Sequence, residues 1–122
     1  MKVLAIGAHP DDVEIGCGAS LLAHRKAGDE VTLLVMTKSA SRSAGDRVAE
    51  QEDAARALGA RLCWGGFTDG AVPSSTEAVS AVETAIRVSG ADLVYTHCAR
   101  DTHQDHRATS LASLAATRHV SR

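Results

Sequence analysis

Four short apolar runs, each followed by a segment with helical periodicity, constrain this chain more than any other feature. Residues 2–7 (KVLAIG) and 30–37 (EVTLLVMT) are nearly unbroken in hydrophobic side chains, and shorter runs cover 61–64 and 91–96. Strands that read this way are covered on both faces, as in parallel sheets. The spacing predicts helices over 14–27, with Ile15, Ala19, Leu22 and Ala23 on the inward face, and over 46–58, closed by Gly59. A third helix is opened by Ser74 with Glu77 in a capping-box pattern and carries Val79, Val82 and Ile86 inward. A fourth places Ala108, Leu111, Ala112 and Ala115 on one face. Polar loops are expected over 38–45 and 65–73, and 117–122 has no pattern; His24 and His119 are read as surface residues.

Four successive β-α units argue for an α/β fold: a Rossmann-like open parallel sheet with helices on both faces. Strand order 3-2-1-4 makes strands 1 and 4 neighbours, so that their C-terminal ends flank the crevice where such folds bind ligands. The same order leaves strand 4 at an edge although its residues are apolar. An unprotected apolar edge invites pairing. The sequence therefore predicts a cover for it: a complementing C-terminal segment, a second copy in a homo-oligomer, or another polypeptide.

The chain has 122 residues, a length for one domain, and a formal net charge of −2. That balance gives no electrostatic case for nucleic acid or a membrane surface, and no run is long enough to span a bilayer. Three cysteines without a CxxC pair point to thiols in a reducing, cytoplasmic setting. With one Trp, one Tyr and one Phe, the core must be built from aliphatic and alanine side chains.

The chemistry lies in two clusters, each directly after an apolar run. His9-Pro10-Asp11-Asp12-Val13-Glu14 follows the first strand; Asp101-Thr102-His103-Gln104-Asp105-His106 follows the fourth. Burying so many acids at strand ends is unfavourable unless a cation or proton chemistry compensates. Imidazole and carboxylate donors suit a catalytic zinc with three protein ligands. His9 and Asp12 are three apart, as are His103 and His106, and residues left over from coordination, such as Asp11 and His103, are available as base and oxyanion stabiliser. A dinucleotide site is disfavoured, because no GxGxxG separates the first strand from its helix. A nucleotide-binding domain with Mg²⁺ on its carboxylates predicts an oxygen-only site, which the motif histidines do not fit.

These residues resemble the Ala-His-Pro-Asp-Asp-x-Glu and His-x-Asp-His motifs of the PIG-L or LmbE-like zinc-dependent N-deacetylases, with Thr96-His97 and Asp101 ahead of the second. The resemblance covers essentially the whole chain, 1–122, as a single deacetylase domain lacking the family's C-terminal strands. It implies hydrolysis of an acetyl or other acyl amide on an N-acetylglucosamine-type conjugate, with Zn²⁺, or another divalent ion such as Fe²⁺, on His9, Asp12 and His106. By the same resemblance Asp11 is the base that takes the proton of the attacking water. His103 stabilises the oxyanion or protonates the leaving amine, and Asp105 orients His103. Glu14 orients the loop or touches substrate, and Arg47 is a candidate substrate contact, with Asp69 and Gly70 lining the pocket. The alternative is a non-catalytic fragment that binds metal or a partner.

Overall fold

The structure, a computed structural model, describes residues 1–38 and 44–118. Most of the predicted 38–45 loop and His119 lie outside them. In chain order the elements are β1 (Lys2–Gly7), α1 (Asp12–Lys26), β2 (Glu30–Lys38), α2 (Ala44–Leu58), β3 (Arg61–Thr68), α3 (Thr76–Ser89), β4 (Leu93–Tyr95) and α4 (Gln104–Thr117). The four strands form one parallel sheet in the order β3-β2-β1-β4, the arrangement the alternation predicts.

Because successive strand residues point to opposite faces, the continuous apolar runs feed two cores. Val3, Ala5, Val31 and Leu33 pack with Val13 and Leu21 of α1 and Ala55 and Leu58 of α2. Leu4, Ile6, Leu34 and Met36 pack with Ala78, Val82 and Ala85 of α3 and Ala108, Ala112 and Ala116 of α4. The α3 stripe behaves as predicted, since Val79 and Ile86 join the same cluster.

Several expectations are corrected. The predicted inward face of α1 points outward: Ile15 is 86 % exposed and Leu22 47 %, while Val13 and Leu21 are buried. The helix is broken at Cys17 (φ −146°, ψ 15°), so a single 100° periodicity cannot run through it. In α4, Leu111 is exposed and the buried stripe includes Thr109, Ser110 and Ser113. The capping box does not form; the residue before α3 is Ser75, and its side chain caps nothing. β3 runs on through Gly65 and Gly66, residues whose type predicts a loop. A bulge between Val35 and Thr37 accommodates this, and Gly65 permits it, because a Cβ there would lie 2.8 Å from the Met36 backbone.

β4 pairs only with β1, so among the described residues it is an uncovered edge. No helix among them is long and apolar enough to cross a membrane. All three cysteines are free thiols.

Candidate metal centre

Three elements fix the turn after β1. Thr37, buried at the end of β2, donates both its N–H (3.0 Å) and its Oγ1 hydroxyl (2.8 Å) to the Ala8 carbonyl. From beyond β4, His97 accepts the Ala8 N–H at Nε2 (3.0 Å). Gly7 has no room for a side chain, since a Cβ would come within 3.0 Å of Val13 and 3.1 Å of Asp12. The first turn of α1 can therefore press against the strand end. The His9 N–H donates to Asp12 Oδ2 (2.8 Å), which closes the turn on itself.

The two motif clusters meet there. Asp12 Oδ2 lies 3.4 Å from His9 Nδ1, 3.2 Å from His106 Nε2 and 3.3 Å from His97 Nε2. The remaining nitrogen of each outer imidazole faces a carboxylate: His9 Nε2 is 2.8 Å from Asp105 Oδ2, and His106 Nδ1 is 2.9 Å from Asp101 Oδ2. When those nitrogens carry the ring protons, His9 Nδ1 and His106 Nε2 turn lone pairs toward Asp12. Carboxylates that fix the tautomer in this way are the usual support of metal-binding histidines. Ligand atoms of His9, Asp12 and His106 lie within 4.8 Å of one another. A two-imidazole, one-carboxylate donor set fits zinc with open positions, and equally a ferrous ion.

Without a cation, protons hold this cluster together. Hydrogen bonding to Asp12 is the main cause that raises His9 to about 9; Asp105 adds to it, and burial opposes it. Burial works to raise the Asp12 carboxyl, but hydrogen bonds from the His9 ring and backbone N–H, with the charge of His106 nearby, outweigh it and hold the group far below the usual carboxylate range. Asp105 is likewise held down against burial, by His9 and by the Val72 and Gly70 N–H groups.

Each predicted residue has a definite place. Asp11 stands beside the cluster, exposed, with Arg47 Nη2 3.7 Å from its Oδ2. Arg47 also donates to the Pro10 carbonyl (3.3 Å). His103 is the residue before α4, and its Nδ1 accepts the Asp105 N–H (3.1 Å). Its proton is thereby assigned to Nε2. A cleft of about 340 Å³ is lined by His9, Pro10, Asp12, Arg47, Asp69, His103 and His106. Asp69 Oδ1 reaches His9 Nε2 at 3.3 Å.

Two expectations change here. The Asp105 carboxylate is not on His103. It is buried, bonded to His9 and accepting from Gly70 N–H (2.8 Å) and Val72 N–H (3.0 Å); only its backbone meets the His103 ring. A carboxylate at the first turn of α4 points back into the sheet end, where those donors wait. Glu14 does not line the cleft: its Oε1 accepts from Gln51 Nε2 (2.8 Å). Sequence reasoning missed Gln51 and left His97 undecided. His97 stacks on His106 at 3.9 Å between centroids, 11° from parallel. Its place directly after a strand beside the second cluster was the available signal.

Residues 4–117 match the family model described as GlcNAc-PI de-N-acetylase. An uncharacterised deacetylase of Escherichia coli (strain K12), YaiS, is 39 % identical over 97 % of this chain and 69 % of its own length. The conserved protein TT1542 of Thermus thermophilus superposes with a TM-score of 0.88 at 30 % identity, over 96 % of this chain and 56 % of that one. The N,N'-diacetylchitobiose deacetylase of Pyrococcus horikoshii gives a TM-score of 0.86 at 29 % identity, over 95 % and 49 %. The chain thus spans about half the length of the solved structures it matches.

Proposed function

The chain belongs to the GlcNAc-PI de-N-acetylase family, and on that premise we propose that it hydrolyses the acyl amide of an N-acetylated amino sugar with the aid of a divalent ion on His9, Asp12 and His106. Residues 1–122 are read as one Rossmann-like domain carrying the site. The observation that carries the reading is the convergence of two imidazoles and one carboxylate whose outer nitrogens are already tied to Asp105 and Asp101. Such an ion supplies a Lewis acid for the amide carbonyl and lowers the pKa of water to about 7.

The chain's own residues supply the rest. Asp11 takes the proton of the attacking water, its carboxylate left free of any capping bond and lying beside Arg47 of the cleft wall. His103 offers its Nε2–H to the oxyanion as a hydrogen-bond donor, and the proton taken up by Asp11 passes to the departing amine. Arg47, in the cleft wall, is the candidate substrate contact. A chito-oligosaccharide is the first substrate to try, since one relative is named for deacetylating diacetylchitobiose.

The test is amine release from such a substrate by the zinc-loaded chain, beside Asp11→Asn. The variant should keep its metal and lose about 10²- to 10⁴-fold in rate. Equal turnover would remove Asp11 from the mechanism. A second reading, a segment that binds metal without turnover of its own, is favoured by the span of about half the solved relatives. Zinc bound at one equivalent with no amine released would establish it.

A further inference from the structure

We propose that Gln51 is a positioning residue for the base, and that Glu14 serves as its anchor instead of touching substrate. The inference rests on the reading of Asp11 as that base. Asp11 has φ 80°, the only positive value outside glycine among the described residues. L-residues seldom adopt this conformation unless their surroundings hold them there. Its side chain makes no cap bond to α1, so the restraint must come from elsewhere.

It comes from α2. Gln51 is 1 % exposed. Its Oε1 accepts the Asp11 N–H (3.1 Å), and its Nε2 donates to Glu14 Oε1 (2.8 Å). One turn earlier on the same helix, Arg47 holds the Pro10 carbonyl. Two successive residues of the base loop are thus gripped by side chains four apart on α2, which is how residues come to share a helix face. Gln51 must accept from one neighbour and donate to another, and only an amide carries both functions on one planar group. A carboxylate would keep the Asp11 bond and lose the donor to Glu14. An aliphatic side chain would leave the Asp11 N–H unmatched.

The chemistry prescribes a swap. In Q51E two carboxylates face each other, and the base loop shifts. In Q51E/E14Q the donor and acceptor exchange places, and every bond is restored. With the zinc-loaded chain, Q51E should lose about a hundredfold in kcat, the cost of an ångström-scale misplacement, with KM and zinc affinity unchanged. The double variant should return to the rate of E14Q. A double variant no faster than Q51E overturns the proposal, as does a Q51E effect confined to KM. Amide exchange of Asp11, followed by NMR, reads the clamp without catalysis: protected in the parent chain, fast in Q51L. Equal exchange in both overturns the proposal. Absence of turnover in the parent chain would instead refute the deacetylase reading and leave the exchange measurement to decide the clamp.

Discussion

Asp105→Asn probes the centre without emptying it. Asp105 is 1 % exposed, and its oxygens accept three hydrogen bonds: from His9 Nε2 and the Gly70 N–H at Oδ2, and from the Val72 N–H at Oδ1. Asparagine fills the same space with one acceptor oxygen. Keeping that oxygen on His9 and Gly70 turns an amide NH₂ toward the Val72 N–H, donor against donor. One orphaned buried donor costs about 1–3 kcal/mol, and two bonds weakened from charge-assisted to neutral cost about 1 kcal/mol each. The total, about 3–5 kcal/mol, corresponds to a fall in melting temperature of about 10–20 °C for a chain of this size. The same change removes the carboxylate behind His9, which should weaken zinc binding about 10- to 100-fold. Thermal unfolding in EDTA gives the first quantity, and competition with a chromophoric chelator gives the second. A melting temperature within about 2 °C of the parent, together with unchanged zinc affinity, would refute the assignment of Asp105 as the common support of ligand and loop.

Three further outcomes follow from the geometry. His9→Ala should reduce bound zinc to background by elemental analysis; an undiminished equivalent of metal would place the ion elsewhere. In the metal-free chain His9 is raised from 6.5 to about 9, so folding takes up a proton that the unfolded chain releases, and the stabilisation is whole below pH 6.5 and lost as pH rises through about 9. Urea midpoints in EDTA should therefore fall across that window, and a flat profile would contradict the proton-held cluster. Gly65→Ala should destabilise by about 1–3 kcal/mol, because its Cβ meets the Met36 backbone at 2.8 Å, whereas Gly18→Ala, whose nearest neighbour is 4.0 Å away, should gain up to about 1 kcal/mol as a helical glycine replaced; denaturant titrations measure both.

The sheet was legible because its strands are buried on both faces. Such strands must be continuous apolar runs, and few topologies join them with short right-handed crossovers. Both motif clusters fall at ends of adjacent strands for the same reason. Helix faces were less legible where a polar constraint sets the orientation. The first turn of α1 is locked by Asp12 bonding back to His9, and the break at Cys17 then detaches the rest of the helix from a common phase. Ile15, Ala19 and Leu22 keep their spacing and lose their partner. In β3, a pair of glycines looks like a turn to any rule based on propensity. Only the proximity of Met36 reveals that the first of them marks a close approach between strands.

What periodicity cannot report is which polar atoms meet. Asp105 lies two residues from His103 in sequence, yet its carboxylate serves His9, 96 residues away, and the backbone of the β3–α3 connection. Gln51 sits in a helix crowded with charged residues, indistinguishable by type from its solvated neighbours, and is nonetheless among the most buried side chains of the chain. A buried polar side chain generally needs hydrogen-bond partners to offset its lost hydration. The partners here are the main chain of Asp11 and the carboxylate of Glu14. With Asp12 turned toward His9, His97 and His106 and Asp11 held at positive φ beside Arg47, adjacent carboxylates are made to face different ways. On the proposed mechanism, that divergence is the geometric condition for one to bind a cation while the other accepts a proton.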